Sequence, residues 1–159
     1  MADEKFQIYQ LAGISAGTLG LCRQPATDAD FAKIDSWRPN IVLTLTGKEE
    51  FPTVGKPLPL QFQDAGYDWL HIPVIDFGVP ASEDTALWQE SIVQLHEVLS
   101  AGGKVLIHCK GGKGRSGMVL LKLLVMQGEA GATALARLRA IREGAVETND
   151  QYKWATRPL

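Results

Sequence analysis

The stretch that most limits what this chain can fold into runs from residue 104 to residue 126. Lys104-Val105-Leu106-Ile107-His108-Cys109 is a short, largely apolar run, and Gly111, Gly112 and Gly114 interrupt it within a few residues. From Met118 to Met126 the chain is apolar nearly all round, broken by Lys122, so it reads as a helix enclosed on every side. A buried strand that turns through glycines into a buried helix needs a sheet to pack under. The pattern therefore predicts an α/β domain: a small, mostly parallel, twisted sheet of four or five strands with helices on both faces.

The turn itself suggests chemistry. A loop that leads into a helix N-terminus presents unpaired N–H groups, and the helix dipole favours negative charge there. Gly111, Gly112 and Gly114 allow the left-handed backbone that turns successive amides toward one centre, as in an anion-binding nest. Cys109 stands at the mouth of that hollow. The amides, with Lys110, Lys113 and Arg115, favour the thiolate form of its sulfur, the nucleophilic form. Arg115 offers a planar fork for two oxygens of a tetrahedral oxyanion.

Three other readings compete for these residues. Gly112-x-Gly114-x-x-Gly117 formally satisfies a dinucleotide fingerprint, but that motif wants an acidic residue about 20 positions on. Leu135, Ala136 and Arg137 stand there. A Walker loop needs Ser or Thr after the lysine, and Gly114 follows Lys113. The third reading is an inert, packed cysteine, for which Arg115 and three glycines are poor company.

His108-Cys109, five residues, Arg115-Ser116 resembles the signature of the cysteine-based protein tyrosine phosphatase superfamily at each defining position. The resemblance implies a protein-tyrosine-phosphatase-like fold and a phosphocysteine intermediate on Cys109. Arg115 and the loop amides of Lys110, Gly111, Gly112, Lys113 and Gly114 would bind phosphate, and the Ser116 hydroxyl would ease departure of the thiolate. In that superfamily the general acid is an aspartate on a loop after a strand, some thirty residues before the cysteine in compact members. Asp76 in Ile75-Asp76-Phe77-Gly78 fits, with Asp64 and Asp84 as less well placed rivals. A superfamily glutamine that positions hydrolytic water matches Gln151. The order of elements is most similar to the kinase-associated dual-specificity phosphatases. The pair Lys110 and Lys113 resembles instead the cradle of the phosphoinositide phosphatases of the superfamily.

Elsewhere the signals are structural. Lys5 to Leu11 alternates loosely, as an edge strand, and Gly13 to Gly20 reads as a loop leading into Leu19 to Cys22. Thr27 with Asp30 marks a helix N-terminus, and that helix closes at Trp37 before Pro39. Ile41 to Thr46 is a doubly buried strand, followed by the charged Lys48-Glu49-Glu50, either the border of a ligand crevice or a solvated turn. Pro57 to Gly66 reads as a short helix, and Trp69 to Val74 as a strand with Pro73 placing it at an edge. Ser82 to Ser100 reads as a helix with Trp88, Ile92, Leu95 and Leu99 on its inner face. In a last long helix, Ala130 to Arg142, Leu135, Leu138 and Ile141 point inward, with Arg137, Arg139 and Arg142 on a solvated face.

With 159 residues the chain suits one domain, 1–159, and its net charge of −2 argues against a nucleic-acid binder. The acidic opening Met1 to Lys5 is unlike a signal peptide, and the longest apolar run is far below the ~20 residues of a membrane span. The expectation is a cytoplasmic monomer without stable membrane association. Two cysteines, Cys22 and Cys109, suit a reduced compartment, although a bridge between them on oxidation stays open. His71, His96 and His108 show no metal-ligand spacing, so neither metal nor cofactor is expected. The expected activity is metal-free hydrolysis of phosphomonoesters on phosphotyrosine or phosphoserine/threonine proteins. The alternatives are an inositol phosphate or phosphoinositide substrate, a catalytically idle phosphate-binding module, and sulfur transfer through the cysteine loop.

Overall fold

A computed structural model describes residues 5–158; the acidic opening, Met1 to Glu4, lies outside the described residues. The sheet has five strands: β1 (Tyr9–Ile14), β2 (Gly17–Cys22), β3 (Ile41–Thr44), β4 (Asp68–His71) and β5 (Lys104–His108). Their spatial order is β1-β2-β5-β3-β4, antiparallel at the β1–β2 hairpin and parallel elsewhere. The helices are α1 (Asp28–Trp37), α2 (Leu58–Asp64), α3 (Thr85–Ser100), α4 (Gly114–Met126), α5 (Gly131–Ile141) and α6 (Asn149–Thr156).

The period of two along each strand divides the core between the two faces of the sheet. Leu106, Val42 and Cys22 enter one cluster with Phe31 and Ile34 of α1 and Phe62 of α2. Their neighbours Val105, Ile107, Ile41, Leu43, Leu19 and Leu21 enter the larger cluster with α3, α4 and α5. Helix α4 is buried from Gly114 to Leu124, Lys122 included. The central strand β5 and this helix are thus enclosed, as the sequence pattern required.

Thr27 and Asp30 form the expected capping box on α1. The strand expected over 69–74 is shorter and lies at the sheet edge as β4.

The stretch 13–20 departs from expectation, because it is a hairpin rather than a loop. Strand β1 starts at Tyr9 instead of Lys5 and continues to Ile14, and β2 begins at Gly17. The glycines of β2 serve close packing: a Cβ on Gly17 would stand 2.5 Å from the Gly103 carbonyl, and one on Gly20 would stand 3.0 Å from the Trp37 ring. Among the described residues no helix is long and apolar enough to cross a membrane.

Candidate active site

The carboxyl ends of the parallel strands β2, β5, β3 and β4 converge on the loop 109–113, which is where ligands bind in open α/β sheets. Each carbonyl of residues 110 to 113 is held from behind. The Gln24 amide donates to the Lys110 carbonyl at 3.1 Å, and Gly117 and Val146 donate to that of Lys113 at 3.0 and 3.1 Å. Arg142 takes the two between, with Nη2 donating to the Gly111 carbonyl at 2.8 Å and Nε to that of Gly112 at 3.0 Å. Gly112 is at φ +72°, and a Cβ there would meet the Cys22 and Arg23 backbone at 2.5–2.7 Å, so only glycine fits.

With the carbonyls turned outward, the N–H groups face the other way. Among the described residues, the amides of residues 110 to 116 donate to no backbone or side-chain acceptor. Arg115 is 1% exposed and lies against this hollow. Its Nη1 donates to Glu50 Oε2 and to the Val74 carbonyl, both at 2.9 Å, and its Nη2 to Glu50 Oε1 at 2.9 Å. Asp76 Oδ1 lies 3.4 Å from Nη2. Three of the guanidinium's five N–H groups are hydrogen-bonded and Asp76 adds an ion pair; the N–H on Nε is buried without a partner.

The Cys109 sulfur lies 3.3 Å from Ser116 Oγ, and the residue is 3% exposed. His108 beside it is fully buried, and burial pushes its imidazole down to about 4. Trp69 Nε1 donates to Thr44 Oγ1 at 2.8 Å, Thr44 Oγ1 is 2.7 Å from His108 Nε2, and His108 Nδ1 is 3.2 Å from the Cys109 carbonyl. A carbonyl only accepts, so Nδ1 carries the proton and Thr44 donates to Nε2. This chain of bonds fixes the peptide plane next to the sulfur. Burial also pushes the Cys22 thiol up, and it stays a free thiol.

Asp76 stands on an exposed turn after β4, its side chain 58% exposed, and its Oδ1 accepts from the Phe77 amide at 3.0 Å. Among the expected site residues, Cys109, Arg115, Ser116 and Asp76 converge. Lys110 is on the rim with Nζ 3.3 Å from the Glu50 carbonyl. The Lys113 side chain lies along Gly144, outside the loop.

Gln151 is placed differently from its expected role. It is fully buried, Oε1 accepts from Glu147 and Thr148 at the cap of α6, and Nε2 donates to the Gly78 carbonyl at 3.1 Å. Its amide ties α6 to the turn bearing Asp76.

Glu50 and Arg142 were legible only in part. Glu50 sits on a 3-10 turn after β3, and of the two readings of that charged segment the site border is correct. The Arg115 guanidinium holds the Glu50 carboxyl below the usual range. Buried Gln24 steadies the turn, its Nε2 donating to the Glu50 carbonyl at 2.7 Å while Oε1 accepts from Thr46. Arg142 is 5% exposed, not solvated. The inward row of α5 is Ala134 and Leu138, and a further step of four reaches Arg142. Reading Leu135 and Ile141 as the centre of that face rotated it away from Arg142. Among the described residues no group of three His, Cys, Asp or Glu is arranged to hold a metal ion.

A family model for the DSP-PTPase phosphatase of polymorphic toxin systems matches residues 16–129. The chain is 38% identical over 60 residues to protein 067L of Invertebrate iridescent virus 3, which is named as a tyrosine phosphatase by inference, covering 37% of this chain and 25% of that protein. It is 35% identical over 96 residues to human cyclin-dependent kinase inhibitor 3, covering 58% of this chain and 44% of that one. The matches thus span less than half the length of these curated relatives. Among solved structures, kinase associated phosphatase with its catalytic cysteine replaced by serine superposes with a TM-score of 0.80 at 25% identity, over 97% of this chain and 94% of that one. The active form of Tk-PTP gives 0.72 at 28% identity, over 89% and 92%. PTPMT1 in complex with PI(5)P gives 0.74 at 17% identity, over 93% and 92%, a likeness of fold.

Proposed function

The chain belongs to the DSP-PTPase phosphatase family, with the architecture of the compact kinase-associated type, and from that premise we propose that it hydrolyses phosphomonoesters of proteins through a phosphocysteine intermediate, without a metal. One observation carries this reading: the carbonyls of residues 110–113 are bound from behind and the amides of residues 110–116 are unpartnered, beside an unpartnered Arg115 Nε and the Cys109 sulfur. Such a hollow is donor on every side, and a tetrahedral dianion is the guest that satisfies it.

In the proposed reaction the amides and Arg115 Nε take the phosphoryl oxygens, and the dianion competes with Asp76 for the Nη2 proton 3.4 Å away. The Cys109 thiolate attacks phosphorus in line as the P–O bond breaks, and Asp76 delivers its proton to the leaving oxygen. Water then attacks the phosphocysteine, Asp76 takes up its proton, and the P–S bond breaks. Ser116 donates to the departing thiolate from 3.3 Å. Gln151 acts by tethering the Asp76 turn through Gly78 rather than by touching water. Glu50 holds Arg115 at the edge of the hollow before substrate arrives. Catalysis by these groups is chiefly positioning and electrostatic stabilisation.

Phosphoprotein is favoured over phosphoinositide, because the Lys110 and Lys113 side chains do not converge on the hollow: one is bonded to the Glu50 carbonyl and the other lies along Gly144. The test is turnover of a chromogenic aryl phosphate by the chain and by Cys109→Ser, each with and without EDTA. The reading expects activity that EDTA leaves unchanged and the substitution abolishes. An inactive wild type that still binds phosphate would replace it with the binding-module reading.

A further inference from the structure

Helix α4 buries two cations, Arg115 and Lys122, and only the first serves the cradle. Lys122 is 4% exposed, its Nζ donates to the Trp154 and Arg157 carbonyls at 2.7 and 2.8 Å, and it lies 4.4 Å over the Trp154 ring. These bonds satisfy the end of α6 and use two of the three ammonium N–H groups. Burial pushes the Lys122 amine down to about 8, and the Arg157 guanidinium pushes it the same way. No carboxylate among the described residues pairs with either cation, so two like charges stand close together, one of them desolvated.

Both cations border a cavity of about 290 Å³ between Val79 and Pro80, the first turns of α3 and the last turn of α6, whose wall contains no Asp or Glu. Trp88 in that wall is packed edge-to-face on Trp154, with ring centroids 5.3 Å apart, and its buried indole N–H has no acceptor. The wall therefore carries two cations and an unspent indole N–H, has the neutral Ser82, Thr85 and Gln89 as its other polar side chains, and is faced with flat apolar surface. A small organic anion complements each of these properties, and the size is at the low end of ligand sites, which run from roughly 300 to 1,000 Å³.

We propose that this cavity is a second ligand site, for a small aromatic monocarboxylate, and that its occupant holds the Asp76 loop in the position seen here. The carboxylate meets Lys122 and Arg157, and the ring lies on Trp154 and Pro80. One wall is continuous with the acid loop, since Val79 and Pro80 follow Asp76 by three and four residues. The opposite wall is the helix that tethers the loop through Gln151. A ligand that binds this arrangement better than others shifts the population toward it. Binding stands apart from the phosphatase reading; the effect on the loop rests on it.

The test titrates naphthoate into the full chain, with inorganic phosphate at saturation to keep the cradle filled, and follows tryptophan fluorescence. Saturable binding is expected, about tenfold weaker in Arg157→Gln, as for loss of one charge-assisted contact, and absent for the neutral naphthylmethanol. Arg157 is exposed, so this variant keeps the fold, and Lys122→Met weakens binding further where it folds. Naphthoate should then raise turnover of phenyl phosphate, whose leaving group needs a proton, and leave nitrophenyl phosphate unchanged. No saturable binding, equal binding by Arg157→Gln or the neutral analogue, or displacement by phosphate would overturn the site. Binding with no change in phenyl phosphate turnover would overturn the effect on the loop. A chain with no turnover at all would fail the phosphatase reading, and the binding arm would still decide the site.

Discussion

The two faces of the loop 109–116 are each served by a buried arginine, and the two arginines differ in what they have left to give. On the back face, Arg142 donates to the Gly111 and Gly112 carbonyls and to the Tyr9 hydroxyl at 3.0 Å, with its guanidinium 4.4 Å over the Tyr9 ring. On the front face, Arg115 is clamped by Glu50 and Val74 yet keeps Nε unpartnered, next to a row of unpartnered amides. Buried polar groups are nearly always satisfied. A face on which the donors are left over is a face built for a guest, whereas a face on which they are spent is scaffolding. Both arginines are buried cations, so burial alone does not separate the roles; the Nε group does, donating to the Gly112 carbonyl in Arg142 and left buried without a partner in Arg115.

Substituting each side in turn sharpens that contrast. Arg115→Lys, which keeps the charge but removes the fork, should lower kcat/KM for an aryl phosphate by about 10²–10³-fold, the loss typical of one preorganised oxyanion donor. Arg142→Met should act through the scaffold instead. It leaves two loop carbonyls unsatisfied, which costs about 2–5 kcal/mol of stability in urea unfolding, and activity should fall about tenfold through disordered amides. Loss of activity in Arg142→Met with unchanged stability would break the assignment of the back face. Glu50→Gln keeps the shape of the clamp while removing its charge, and a fall in kcat of only a few-fold is expected, as for a positioning contact rather than a reacting group. An effect as large as that of Arg115→Lys would place Glu50 among the reacting groups.

The last expected effect concerns His108 and is read in stability rather than in activity. It is neutral in the folded state, with its pKa lowered from 6.5 to about 4, so the unfolded chain takes up a proton in that window that the native chain does not. Stability should fall as pH drops from about 6.5 to about 4, by on the order of 3 kcal/mol, and flatten below. Carboxylates titrate there too, so the measurement is the difference in slope between the wild type and His108→Gln, which should be shallower.

The front face was readable in the sequence because its parts are neighbours in the chain. Cys109, the glycines, Arg115 and Ser116 are carried by one strand, one turn and one helix, each with a strong local signal. Asp76 was readable through the family resemblance, which places a general acid on a loop after a strand some thirty residues before the cysteine. The back face was not, since Arg142 comes from another helix and its burial depends on the phase with which α5 settles on the core. Glu50 needed the strand order, which places the end of β3 directly beside β5. Gln151 was found as a residue, but its partner Gly78 lies 73 positions away, and no pattern along the chain reports that contact. The β1–β2 hairpin was hidden because Gly17 and Gly20 look like turn residues while serving close approach to Gly103 and Trp37.

The most direct test is where the phosphoryl group resides during turnover. Asp76→Asn, mixed with an aryl phosphate whose leaving group needs no proton and quenched in acid within the first turnover, should carry one phosphoryl group on the peptide containing Cys109, by mass spectrometry. That adduct should be absent from Cys109→Ser and unaffected by EDTA. A phosphoryl group on another residue, or phosphate released at full rate with no covalent adduct, would contradict the account.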